Sequence, residues 1–135
     1  MRIASIILAS ALAVAGCSST PTSPTVNVPF STTDLRVGTG AEATAGRVVT
    51  LNYTGWLYSV TAAENKGTRF DGGTYTFVLG TGNAIQGWHQ GIPGMRVGGQ
   101  RRLIIPPSLG YGSQASGPIP ANSTLVFDVE LISVQ

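Results

Sequence analysis

The chain is poor in the residues most reaction chemistry relies on. Among 135 residues there is one Cys and one His. A single Cys closes no internal disulfide. Because that Cys is assigned below to another task, the lone His89 forms no zinc cluster and no Cys–His pair. A lone His on a short helix is expected at the surface. Charge is scarce too, at 10% of residues against about a quarter in an average domain. Eight basic and six acidic residues leave a formal charge of +2. No basic run exists beyond Arg101-Arg102, which argues against a nucleic-acid partner. There is no phosphate loop of the GxxxxGK type. Gly80-Thr81-Gly82 lacks the third glycine of a dinucleotide fingerprint, because Ile85 stands in its place. The acidic residues are scattered. Asp128 and Glu130 share one strand face and are expected to be solvated. No cofactor and no metal site is expected.

What is present suits a β-rich fold. Gly at 18 is nearly twice its usual share and Pro stands at 8, a composition of tight turns rather than helix bundles. Hydrophobic residues at 42% suffice for a core. After the leader described next, the length fits one domain of roughly 100 residues.

The start of the chain reads as an address. Arg2 precedes a run from Ile3 to Val14 that is apolar apart from Ser5 and Ser10. About a dozen residues are too few to cross a ~30 Å hydrocarbon core as a helix, but they match a signal-peptide core. Val14-Ala15-Gly16-Cys17 resembles the lipobox of bacterial lipoproteins, which implies cleavage before Cys17 and lipidation of that thiol. Losing Arg2 with the leader lowers the net charge by one. Ser/Thr/Pro-rich residues follow, with nothing to bury until Val26, so a flexible tether is expected. Ten such residues reach on the order of 30 Å. Three segments follow: residues 1–16 as signal peptide, 17–30 as lipidated Cys and tether, and 31–135 as the folded domain. The expected location is a bacterial envelope, membrane-anchored through Cys17 and facing periplasm or exterior. Ser18, where Asp often retains lipoproteins at the inner membrane, favours the outer one in a two-membrane cell.

Period-two alternation marks four strands in the body. Val49, Leu51 and Tyr53 oppose Thr50, Asn52 and Thr54. Tyr75, Phe77 and Leu79 oppose Thr74, Thr76 and Val78. Leu103 and Ile105 form a third pattern, and Leu125, Phe127, Val129 and Leu131 a fourth. Each means one covered and one wetter face, in an antiparallel arrangement. Leu35 and Val37 suggest a further strand. Ile85, Trp88, His89 and Ile92 are spaced for one helical face, with Asn83 as expected N-cap and Ile92-Pro93-Gly94 as stop. A two-turn helix needs the sheet to lie on. The expected fold class is α+β: a strongly twisted antiparallel β-sheet wrapped around one short α-helix. Trp88 then falls at the floor of any concavity. From periodicity alone it is equally a core residue.

Several strings, in order, resemble the FKBP family of peptidyl-prolyl cis-trans isomerases. They are Val49-Thr50-Leu51-Asn52-Tyr53-Thr54-Gly55, Phe70-Asp71, Phe77-Val78-Leu79-Gly80, Ile85-Gln86-Gly87-Trp88-His89-Gln90-Gly91 and Met95-Arg96-Val97-Gly98-Gly99-Gln100-Arg101-Arg102. Pro107-Ser108-Leu109-Gly110-Tyr111-Gly112 and Ile119-Pro120-Ala121-Asn122 leading into Phe127-Asp128 complete the set. The resemblance runs from about Leu35 to Val134. It implies a proline pocket between helix and sheet, with Trp88 as platform and Tyr53, Phe70 and Phe127 as walls. It assigns the Ile85 N–H and the Tyr111 hydroxyl to substrate carbonyls, and Asp71 to polarising the amide or orienting a wall. Tyr75, Ala84 and Ile119 complete the substrate-binding set. The family's Arg partner for the Asp is missing, because only Gly72-Gly73-Thr74 separates Asp71 from Tyr75. Arg69 or a tyrosine hydroxyl is expected instead. The segment from Tyr58 to Thr68 is longer than usual and is expected to shield or extend the pocket. The implied substrates are proline-containing polypeptides. No dimerisation helix precedes the domain, so a monomer is expected. A non-catalytic peptide-binding lipoprotein using the same groove, or a structural lipoprotein with these aromatics as core, remains open from the residues alone.

Overall fold

The computed structural model describes residues 28–135. The signal-peptide segment, Cys17 and the tether up to residue 27 lie outside the described residues. Among the described residues there are five strands: β1 (Ser31–Arg36), β2 (Val48–Tyr58), β3 (Lys66–Val78), β4 (Gln100–Ile105) and β5 (Leu125–Val134). One helix, α1 (Gln86–Gly91), lies between β3 and β4. The sheet order is β1-β4-β5-β2-β3, antiparallel throughout.

Register puts the apolar positions on one face. Leu51 pairs with Tyr75 on one side and Leu131 on the other. Leu103 pairs with Phe127, and Ile105 with Leu125. Val49, Leu51, Leu103, Ile105, Leu125, Phe127, Val129 and Leu131 are all at most 2% exposed. A one-residue slip would turn this whole set to solvent, so burial specifies the register.

α1 lies across that face with Trp88 and Ile92 buried. Its two glycines make the close approach possible. A Cβ at Gly87 would lie 2.6 Å from the Ile105 side chain, and one at Gly91 would lie 2.8 Å from Leu103. Glycine costs a helix about 1 kcal/mol per position, so packing on β4, not propensity, holds this one. The helix does not begin as the sequence suggests. Ile85 is the N-cap residue, with no side-chain cap. Asn83 is exposed and uses its carbonyl to accept from the Tyr75 hydroxyl.

Two strands depart from expectation. β1 begins four residues before Leu35 and every residue in it is exposed; Val37 falls outside it. It is an edge strand that adds backbone pairing to β4 rather than side chains to the core. β3 is 13 residues long and starts at Lys66, well before the alternating stretch.

The back of the sheet is not simply wet. Val126 is fully buried there, in register between Trp56 and Ile104. Asp128 is not solvated as expected. It receives two hydrogen bonds from Arg102, at 2.7 and 3.0 Å, and an ion pair from Lys66 at 2.8 Å. Burial opposes its ionisation, yet the Arg102 and Lys66 hydrogen bonds prevail and hold its carboxyl below the usual range. Lys66 also sits 4.3 Å above the Trp56 ring, a cation–π contact. Glu64 meets both Lys66 and Arg102. The extended connection between β2 and β3 is thus tied to the back face.

Candidate active site

On the other face, between α1 and the sheet, lies a cavity of about 630 Å³, a size that suits a small ligand or a few peptide residues. Tyr53, Phe70, Asp71, Tyr75, Ala84, Ile85, Trp88, Tyr111 and Phe127 all line it. Residues scattered over more than seventy positions are brought together by two strand registers and one helix. Ile119 is the exception. It is 4% exposed, packs in the core and does not line the cavity. None of the residues from Tyr58 to Thr68 lines it either. The long connection does not shield the pocket, because its ion pairs hold it to the opposite side of the sheet.

Trp88 is the hub. Its ring centroid lies 5.1 Å from Tyr53, 5.3 Å from Phe127 and 5.8 Å from both Tyr75 and Phe77. Most of these contacts are edge-on, the arrangement that aromatic quadrupoles favour. Phe70 meets Phe127 at 5.5 Å and 90°. That pair depends on Gly55, where a Cβ would lie 2.6 Å from Phe70 and 2.7 Å from Phe127. The Trp88 indole N–H is buried without an acceptor, so ring packing alone must offset a desolvation cost of about 1–3 kcal/mol.

Polar groups sit at the rim. Tyr53 Oη donates to Asp71 Oδ2 at 2.8 Å, and the Gly72 N–H donates to Asp71 Oδ1 at 2.8 Å. The partner of Asp71 is therefore a tyrosine hydroxyl and a backbone amide, not Arg69. Asp71 itself is exposed rather than buried. Burial, then the hydrogen bond to Asp71 and its charge, push the Tyr53 hydroxyl up to about 12. Tyr111 is pushed up by burial and then by Asp71 and Tyr75. Both phenols stay protonated as donors at neutral pH. Among the described residues no acceptor takes the Ile85 N–H or the Tyr111 hydroxyl, and both residues line the cavity. Gly82, Asn83, Gln86 and Gly110 also line it. Sequence reasoning missed these four, because small and amide residues in turns and at a helix start carry no periodic signal. Among the described residues no group of His, Cys, Asp and Glu is placed to hold a metal.

An aromatic cup with donors at its rim defines a site that seats a compact apolar group and holds the carbonyls beside it. Residues 40–132 match the family model for the FKBP-type peptidyl-prolyl cis-trans isomerase. The chain is 46% identical over 107 residues to the FK506-binding protein of Neisseria meningitidis serogroup A, covering 75% of this chain and 92% of that one. It is 45% identical to FK506-binding protein 3 of Candida albicans over 77% of this chain, though over only 24% of that longer protein. The crystal structure of AtFKBP13 superposes with a TM-score of 0.67 at 37% identity, covering 78% of this chain and 93% of that one. FkpA from Escherichia coli gives 0.66 at 34% identity, covering 78% and 48%. The chain belongs to the FKBP-type peptidyl-prolyl cis-trans isomerase family, and its activity is the interconversion of cis and trans X-Pro bonds.

Proposed function

We propose that this isomerase turns prolyl bonds in exported proteins, by excluding water from the amide as it twists. Rotation about a peptide bond faces ~18–20 kcal/mol because the C–N bond is partly double. X-Pro isomers are nearly balanced but exchange over tens of seconds or longer. Reaching milliseconds requires removing roughly 5 kcal/mol of barrier. No bond is made or broken, so neither a nucleophile nor a base is required. The planar amide is polar and is stabilised by water at its carbonyl. The twisted amide has lost resonance and is less polar. A cup of Tyr53, Phe70, Trp88 and Phe127 then favours the twisted state over the planar one. In this reading the proline ring rests on Trp88. The Ile85 N–H and Tyr111 hydroxyl hold flanking carbonyls, Tyr75 and Ala84 border the peptide, and Asp71 orients Tyr53.

The observation that carries this reading is the ring cluster centred on Trp88 beside unsatisfied donors. We further propose that the domain works as a monomer, lipid-anchored through Cys17 at a bacterial envelope, with proline-containing envelope proteins as clients. The apolar run ending in Val14-Ala15-Gly16-Cys17 and the Ser/Thr/Pro tether support that placement. Exchange between the isomers of a proline tetrapeptide, followed by NMR, tests the pocket. The wild type speeds exchange, FK506 (the compound in the relatives' names) competes, and Phe127→Ala loses most of the rate. Wild-type rates in Phe127→Ala would reject the assignment. Release of Cys17→Ser from the membrane fraction tests the anchor.

A further inference from the structure

His89 adjoins the platform residue Trp88 on α1 but does not line the cavity. Its ring packs edge-on against Phe77, with centroids 5.5 Å apart. It makes two hydrogen bonds, both to the turn that follows β3. The Gly80 N–H donates to Nδ1 at 2.9 Å, and Nε2 lies 3.1 Å from the Gly82 carbonyl. An Nδ1 that accepts must be unprotonated, so the pattern assigns the neutral tautomer with its proton on Nε2, donating to Gly82. Both ends of one imidazole are therefore used to clamp a three-residue stretch. Gly80 holds φ +96 there, a left-handed conformation that suits glycine.

The clamped turn leads straight into the pocket. Gly82, Asn83, Ala84 and Ile85 form one continuous stretch of its lining. The only other side chain that holds this stretch by a hydrogen bond among the described residues is Tyr75, through the Asn83 carbonyl. A shift of the turn would move the Ile85 N–H relative to Trp88.

We propose that neutral His89 is a positioning residue for the isomerase, and that protonating its ring releases the 80–84 turn and lowers activity. The inference rests on the isomerase reading of the cavity. An imidazolium has a donor at both nitrogens. Its Nδ1–H would face the Gly80 N–H, and the clamp would lose one bond and gain a repulsion. Imidazoles change charge between pH 5 and 8. Among the described residues no ion pair reaches the ring. α1 offers only Gln86 and Gln90, the turn offers no ionisable group, and β3, whose charged residues are Lys66, Arg69 and Asp71, meets the ring through Phe77. Arg47 joins the neighbourhood through its backbone carbonyl, which accepts from Leu79. Asp71, Tyr53 and Tyr111 stand at the cavity. No hydrogen bond or ion pair links His89 to any of these among the described residues.

The test is kcat/KM between pH 5 and 8, read by NMR exchange on a proline tetrapeptide with blocked ends, for wild type, His89→Gln and His89→Phe. Glutamine keeps an acceptor and a donor without titrating; phenylalanine keeps a ring without either. The expected wild-type result is a loss of about tenfold on going from pH 7.5 to 5, the size expected for one exchanged hydrogen bond. His89→Gln should be flat over this range and near wild type at pH 7.5. His89→Phe should be flat and low. A flat wild-type profile, or the same acid limb in His89→Gln, overturns the proposal. The Gly80 amide resonance of the wild type gives a second readout that needs no variant and no turnover. It should titrate together with the His89 ring, and a Gly80 amide indifferent to that titration also overturns the proposal. A wild type inactive on proline peptides at every pH refutes the isomerase reading instead, while the Gly80 titration still judges the clamp.

Discussion

The two faces of the sheet are held by different physics. On the face toward α1, ring against ring and aliphatic against aliphatic close the core, and the rings left at its edge form the cavity. On the back, Thr, Asn, Arg, Lys and Asp alternate in, and among the described residues the only fully buried large side chain there is Val126. The front gains from apolar area, which is non-directional and strong. The back depends on aimed hydrogen bonds and ion pairs, each worth little when exposed and more when half-buried. Function sits on the face where binding a small apolar ring costs no strong polar interaction. The back face anchors the β2–β3 connection and leaves the front open.

The comparison predicts a graded set of responses. Removing the hub should hurt most. Trp88→Ala should cost about 3–5 kcal/mol in urea unfolding and abolish most isomerase activity, since the same ring supports core and cup. Asp128→Asn should cost about 1–3 kcal/mol, between the exposed and buried ion-pair ranges, with the peptide assay unchanged. Its pH dependence carries a definite sign. The folded carboxyl is held below its ordinary value, so its contribution is complete above about pH 4, the unfolded value. It disappears as pH falls through the lower, folded value. Unfolding free energy measured from pH 6 down to 2.5 should therefore fall less steeply in Asp128→Asn. If that variant cuts activity as much as stability, the faces are not independent.

Asp71→Asn should reduce the isomerase rate in part and leave stability within about 1 kcal/mol, as expected for an exposed polar change. The Tyr53 hydroxyl, pushed up to about 12, should come down by ultraviolet titration yet stay above 10, because burial, the largest cause, remains. The smallest effect belongs to the back-face threonines. The Thr50–Thr76 hydroxyl contact at 2.9 Å is exposed, and Thr76→Val should change stability by about 0.5 kcal/mol or less, read by thermal unfolding.

Much of the front face was legible before the structure. Val49, Leu51, Leu103, Leu125 and Leu131 announce themselves by alternation, and Trp88 with Ile92 by helical spacing. The back was read poorly. Asp128 looked like a solvated carboxylate because its partners, Arg102 and Lys66, come from two other strands. Lys66 to Phe70 did not look like strand, since Gly67 and the charged residues beside it break the pattern, yet pairing with β2 makes it one. Ile119 was assigned to the substrate by resemblance, but the turn carrying it sends its side chain into the core. Asn83 has the chemistry of a cap, but it sits two residues before the N-cap at Ile85.

By itself the sequence determined the antiparallel sheet, the single short helix across it and the set of aromatics available for a pocket. These follow from periodicity, which neighbours along the chain impose on each other. Tertiary structure alone decided which rings meet through the gap at Gly55, that Asp71 answers to Tyr53, and that the long β2–β3 connection lies behind the sheet. Those contacts join residues from 15 to more than 60 positions apart. They depend on strand register and on where a helix comes to rest, and no local pattern encodes either.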